Sequence, residues 1–249
     1  MSPVELAIAC LAGCERILVF TGAGISTESG IPDFRGPHGV WKRVDPAEFT
    51  LDNWVQNPRF RVGAWERRFT SQFAFEPNDA HRAVAAMWDG GRMIGCVTQN
   101  IDGLHQAAGL PDRAVAEVHG NRHGIVCYER RHPADVEDVA ARWRAGDADP
   151  RCRRCGSILK ATTVLFGEGL PPHAVERSQR WADEADGVLA VGSTLSVYPA
   201  ANFPLEVASR GEPFVIVNMG RTDHDRVATV KVEDRAGRVL PRLVAGLTT

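Results

Sequence analysis

Ile17-Leu18-Val19-Phe20-Thr21-Gly22-Ala23-Gly24-Ile25-Ser26 is an apolar run that closes on two glycines. Four consecutive large apolar residues without polar alternation read as a strand buried on both faces, as in a parallel sheet covered by helices. A second junction of the same kind follows downstream. There the apolar run 93–97 ends in Thr98-Gln99-Asn100-Ile101-Asp102-Gly103-Leu104-His105, which places two amides and a carboxylate at a strand end. Ligands of open α/β sheets bind at such strand ends. The two junctions together point to a nucleotide site with chemistry beside it.

Further apolar runs at 161–166, Gly187–Val191 and Phe214–Val217 read as strands of the same sheet, and 227–232 offers a sixth. Segments of helical period separate several of them. In 78–88, Ala80, Val84 and Met87 share one face and Asn78 can cap the start. Segments 172–183 and 199–209 each open at or near a proline, as a first helical turn allows. Alternating strands and helices predict an α/β fold with a Rossmann-like, doubly wound parallel sheet. Two stretches break the rhythm. Residues 31–75 hold aromatics and prolines but no clear strand, and 120–159 hold three cysteines. Both read as insertions that build a second, smaller domain, leaving 1–30, 76–119 and 160–249 to the large one.

Composition narrows the function classes. Of 249 residues 44% are hydrophobic and 24% charged, as in ordinary globular proteins, and the net charge of −2 implies no broad attraction to nucleic acid or membrane. No apolar run approaches the roughly 20 residues of a membrane span. The first residues carry Glu5 and no early basic residue, unlike a signal peptide, and 3–13 reads as an amphipathic helix. Six cysteines are too few for a disulfide scaffold of this length, so a reduced, cytoplasmic setting is expected.

Gly22 and Gly24 let a backbone approach a pyrophosphate, and a helix starting there would offer free N–H groups. Thr27 stands where the dinucleotide fingerprint has a third glycine, so this turn alone also fits a purely structural role. Gly30-Ile31-Pro32-Asp33-Phe34-Arg35-Gly36 has the rigidity of a binding loop, with Asp33 and Arg35 flanking an aromatic face. Gln99, Asn100 and Asp102 suit a carboxamide or a ribose, though Asn and Asp also cap loops. His119 leaves the apolar stretch 115–118 beside Gly120, and an imidazole there suits general-base work. His105 fits capping or packing. His38, His81, His123, His132, His173 and His224 carry little information singly. Cys10 and Cys14, four apart on the first helix, read as packing, and Cys96 as a small core residue.

Taken in order, these motifs resemble the sirtuins, NAD-dependent protein deacylases. The match runs from Gly22-Ala23-Gly24-Ile25-Ser26 through Gly30-Ile31-Pro32-Asp33-Phe34-Arg35, Gln99-Asn100-Ile101-Asp102 and His119-Gly120. It continues with Phe166-Gly167-Glu168, Gly192-Ser193-Thr194-Leu195 and a strand ending in Asn218. The resemblance implies that Gly22, Ala23, Gly24, Asp33, Phe34 and Arg35 help hold NAD. It implies that Gln99, Asn100 and Asp102 line the nicotinamide and ribose pocket. Gly192, Ser193 and Asn218 would meet the adenosine half. His119, with Asn100 and Asp102, would be catalytic. In that family the acyl oxygen of a modified lysine attacks the nicotinamide ribose. Nicotinamide leaves, and the base helps a ribose hydroxyl capture the acyl group. The partner would be an acylated-lysine protein or peptide, added as a strand near 164–169 and 192–197. An NAD glycohydrolase or mono-ADP-ribosyltransferase on the same scaffold is the alternative, and a non-catalytic NAD sensor a third reading.

Two departures matter. Sirtuins preferring acidic acyl groups resemble one another in a Tyr-x-x-Arg pair, whereas this chain has Trp65-Glu66-Arg67-Arg68, so a simple acetyl or longer apolar acyl group is expected. The family's zinc module has two Cys-x-x-Cys pairs. Here Cys152 and Cys155 form one, but Arg130 replaces the partner of Cys127. Zinc held by Cys127, Cys152 and Cys155 then needs His132 or His123 as a fourth ligand. A degenerate module held by packing alone is the other reading.

Overall fold

The opening apolar run lies at the centre of the sheet. The computed structural model describes residues 1–36, 39–70 and 74–247, so His38 lies outside the described residues. Along the chain the first elements are α1 (Pro3–Leu11), β1 (Ile17–Thr21), α2 (Leu51–Gln56), α3 (Pro58–Thr70), α4 (Asp79–Asp89) and β2 (Met93–Thr98). Next come α5 (Leu104–Ala107), β3 (Val115–Glu117), β4 (Ile125–Cys127), β5 (Pro133–Ala134), α6 (Val136–Arg144) and β6 (Leu159–Ala161). The chain ends with α7 (Pro172–Glu184), β7 (Gly187–Val191), α8 (Asn202–Ser209), β8 (Phe214–Val217), β9 (Val230–Val232) and α9 (Ala236–Leu247).

Among the described residues one sheet has six parallel strands in the order β3-β2-β1-β7-β8-β9. All residues of β1, β7 and β8 are buried, which explains their continuous apolar sequence. One face packs against α1, α4 and α9, the other against α7 and α8. The chain winds outward from β1 through β2 to β3, then crosses back to β7 and winds the other way. The switch point therefore falls between β1 and β7, where a crevice opens at the strand C-termini.

Local chemistry starts the helices where expected. Ser2 and Glu5 form a reciprocal capping box on α1, and the Asn78 side chain accepts the Ala80 N–H at 2.9 Å at the start of α4. Helix α9 forms despite Gly237, Pro241 and Gly246, because six of its residues bury an apolar face.

The expected strand at 161–166 is a correction. Only its first residue belongs to a strand, β6, and that strand lies in a second sheet of three antiparallel strands, β5-β4-β6. The remainder is a loop, and the outer place beside β2 in the parallel sheet goes to β3. The run contains Thr162 and Thr163 and none of its residues is fully buried, so apolarity alone misleads there. The antiparallel sheet anchors a smaller second domain whose core gathers Trp54 and Trp65 with Ile125, Cys127, Val139, Cys152, Ile158 and Leu159. Arg61, 2% exposed, ties its halves together. Its guanidinium meets the Asp149 carboxylate at 2.8–3.1 Å and donates to the carbonyls of Trp54 (2.7 Å) and Val55 (3.0 Å).

Candidate active site at the sheet switch point

Five adjacent strands deliver the sequence-predicted residues to one rim. Gly22, Ala23 and Gly24 follow β1, and Gln99, Asn100 and Asp102 follow β2. His119 follows β3, Gly192 and Ser193 follow β7, and Asn218 follows β8. Hydrogen bonds knit these ends together. Gln99 Nε2 donates to Ser193 Oγ at 2.8 Å, and Asn100 Nδ2 donates to the Gly22 carbonyl at 3.2 Å and to Ser26 Oγ at 3.1 Å. Asn218 spends its amide locally, donating to the carbonyls of Met219 and Gly220.

The glycines have a packing reason beyond ligand approach. The Gly24 N–H donates to the Gly192 carbonyl at 2.8 Å, and a Cβ on Gly24 would lie 2.7 Å from Gly192 Cα. Gly192 itself sits at φ 62°, a conformation that favours glycine. The turn after β1 continues into a 3-10 helix, Ala23–Ser29, rather than an α-helix.

His119 is held in one tautomer. Its Nδ1 lies 3.1 Å from the Gln99 carbonyl oxygen, which only accepts, so the neutral ring carries its proton on Nδ1. Nε2 keeps the lone pair and forms no hydrogen bond among the described residues. Burial pushes the His119 pKa below its ordinary value, and the Gln99 carbonyl opposes only part of that. Asp102 sits on the same segment. Its Oδ2 accepts the Ser26 hydroxyl at 2.8 Å and its Oδ1 accepts the Leu104 N–H at 3.0 Å. His123 donates through Nε2 to the Asp102 carbonyl at 3.1 Å.

Behind the rim lies a buried polar layer that sequence reasoning missed. Ser26 Oγ approaches His81 Nε2 at 3.4 Å, and the His81 ring meets His105 edge-on at 5.1 Å. His105 Nε2 reaches Thr21 Oγ1 at 2.9 Å, and Thr21 donates to Thr98 Oγ1 at 2.8 Å. Burial drives the His81 pKa to about 4 and the His105 pKa to about 3, so both rings are neutral. No local pattern announces this layer, because its members come from three separate stretches, 21–26, 81 and 98–105.

The loop carrying Asp33, Phe34 and Arg35 curls over towards the smaller domain. The Asp33 side chain accepts the Gly36 N–H at 2.8 Å, and its carbonyl accepts the Val40 N–H at 2.8 Å. The Phe34 ring packs on Trp41 at 5.0 Å, and Trp41 lies 6.1 Å from Phe166. Phe34 and Phe166 remain 40% and 44% exposed and, with Trp41 between them, present an aromatic face. Arg35 is exposed.

In the smaller domain Cys127, His132, Cys152 and Cys155 bring their ligand atoms within 4.8 Å of one another. Cys127 Sγ and Cys155 Sγ lie 3.4 Å apart, and Cys152 Sγ lies 3.8 Å from His132 Nδ1. Burial resists ionisation of Cys127, but the Arg130 N–H and the neighbouring thiols outweigh it and bring the thiol to about 7. Three thiols and one imidazole at this spacing fit a tetrahedral zinc site. Of the two histidines left open by the sequence, His132 is in the cluster, whereas His123 is spent on Asp102. Cys14 donates to the Asp186 carbonyl and is no metal partner of Cys10.

A family model described as Sir2 family matches residues 22–199. The chain belongs to the Sir2 family. An NAD-dependent protein deacetylase 2 of Streptomyces coelicolor is 39% identical over 240 residues, covering 95% of this chain and 100% of that protein. An NAD-dependent protein deacetylase 1 of Pyrobaculum aerophilum is 40% identical over 227 residues, covering 91% and 88%. A solved Sir2–p53 peptide–NAD+ structure shares 33% identity with a TM-score of 0.85 and covers 98% of each chain. The fold that carries this rim in the Sir2 chain is thus shared with a solved Sir2 structure. No helix among the described residues is long and apolar enough to cross a membrane.

Proposed function

We propose that the chain is an NAD-dependent protein lysine deacetylase, moving the acyl group of an acyl-lysine to ADP-ribose with release of nicotinamide. The observation that carries this reading is the fixed tautomer of His119, whose Nε2 lone pair is unspent on the rim it shares with Asn100 and Asp102. Bound NAD supplies the electrophilic ribose carbon and the nicotinamide leaving group. His119 takes the ribose hydroxyl proton at Nε2, and its depressed pKa keeps it a base below neutrality. Asn100 and Asp102 orient the ribose and carboxamide and are kept from swinging by Ser26 and the Gly22 carbonyl. Gln99 lines the same pocket.

Gly22, Ala23 and Gly24 present backbone to the phosphates, Asp33 and Arg35 hold the loop side, and Phe34 excludes water. Gly192, Ser193 and Asn218 hold the adenosine half. The acylated peptide adds as a strand between 164–169 and 192–197. Acetyl or another apolar acyl group suits this cleft, because Arg68 is engaged with the carbonyls of Arg122 and His123. Cys127, His132, Cys152 and Cys155 hold a structural zinc, which takes no part in the reaction. The large domain takes 1–30, 76–119 and 160–249, and the smaller one 31–75 and 120–159. Six free thiols suit the reducing cytoplasm.

The test is nicotinamide release measured with NAD and a panel of acyl-lysine peptides. Release is expected to require the peptide and to vanish in His119→Ala. Full turnover by that variant refutes the base assignment. Peptide-independent release favours the glycohydrolase reading instead.

A further inference from the structure

The run 161–166 is apolar enough to look like a strand, yet it is a loop wrapped around a charge. The Lys160 side chain is fully buried, and each of its three N–H donors has an acceptor. Nζ lies 2.9 Å from the Ala161 carbonyl, 2.7 Å from the Thr163 carbonyl and 3.0 Å from Glu168 Oε2. Glu168 Oε2 also accepts the Leu165 N–H at 3.2 Å, and its Oε1 faces Arg131 at 3.3 Å. The loop is thereby strapped to itself from within.

Its outer side is tied to the rest of the cleft. The Val164 N–H donates to the His119 carbonyl at 2.9 Å. The Phe166 N–H donates to the Phe49 carbonyl at 3.0 Å, and the Phe166 carbonyl accepts the Leu51 N–H at 2.9 Å. Among the described residues the Val164 carbonyl and the Gly167 N–H make no backbone hydrogen bond, which leaves an edge for an incoming strand. Stability alone does not account for the buried pair, because well-packed apolar residues are often as stabilising as a buried ion pair. What the pair adds is direction, since an ammonium with three fixed acceptors admits one loop conformation.

We propose that Lys160 and Glu168 are positioning residues that hold the 162–168 loop preformed as the edge to which the acyl-lysine peptide adds. The inference rests on the deacetylase reading. Neither residue touches the reacting atoms. Their loss weakens peptide capture while leaving the NAD half of the site intact.

Steady-state kinetics of Lys160→Met, Glu168→Gln and Lys160→Arg test this, together with hydrogen exchange of the amides of 163–168. Lys160→Met is expected to raise the peptide KM on the order of tenfold while the NAD KM moves less than about twofold. Glu168→Gln is expected to shift it the same way by less, and Lys160→Arg to recover most of the affinity. Exchange in the loop should quicken in the first two variants while that of β1 stays slow. Folded variants with unchanged peptide KM and unchanged loop exchange overturn the proposal, as does a parallel rise in both KM values. If Lys160→Met does not fold, the near-isosteric Glu168→Gln decides by the same readings. A wild-type protein without peptide-dependent turnover sinks the deacetylase reading instead, and loop exchange still reports on the strap.

Discussion

Replacing Ser26 by alanine removes one oxygen from the most connected point behind the rim. That hydroxyl donates to Asp102 Oδ2 at 2.8 Å, accepts from Asn100 Nδ2 at 3.1 Å and is fully buried. Its contact with His81, at 3.4 Å, is too long to weigh much. Asn100 Nδ2 is not orphaned by the change, because the Gly22 carbonyl still accepts from it. The loss is therefore dominated by the bond to the carboxylate, which nets about 1.5–3 kcal/mol for a charged acceptor. For a chain of this length that lowers Tm by about 3–12 °C. Among the described residues the Asp102 carboxylate then keeps only the Leu104 N–H as a hydrogen-bond anchor, so the same free energy withdrawn from its orientation slows kcat/KM by about 10- to 150-fold. Thermal unfolding and peptide-dependent nicotinamide release measure the two effects on one preparation. A Tm within about a degree of wild type and kcat/KM within about twofold would refute the argument that this hydroxyl holds Asp102.

Three further outcomes are expected. His81 and His105, at about 4 and about 3 against an ordinary 6.5, bind fewer protons folded than unfolded, so stability is fullest above pH 6.5 and falls as pH drops towards 3. Urea titrations across that range should show the fall, flattened in His105→Gln; an identical slope in that variant rejects the assignment. Metal analysis should find about one zinc per chain in the wild type, with loss of the metal in His132→Ala and a lower Tm after chelation. Wild-type protein without zinc removes the metal from the smaller domain. Arg61→Met should cost about 1–3 kcal/mol, because the Trp54 and Val55 carbonyls lose a charged donor while the partly buried Asp149 keeps Arg151 at 2.9 Å, with Asp149→Leu restoring part of it in the double variant. A single-variant cost below about 1 kcal/mol in denaturant unfolding means the pair does not clamp the domain.

The sequence by itself determined the central strands, because residues buried on both faces leave an unbroken apolar record in 17–20, 93–97, Gly187–Val191 and Phe214–Val217. It also placed each rim motif at a strand end, since a turn's chemistry is written in consecutive residues. Sheet order, the displacement of 161–166 by β3 and the choice of His132 over His123 were decided only in three dimensions. So was the layer joining Ser26, His81 and Asp102, whose partners stand 55 and 76 residues from Ser26. The physical reason is the range of the forces. Burial periodicity and capping act within a turn or two and leave a local trace, whereas a hydrogen bond between distant segments exists only once the sheet has set their separation.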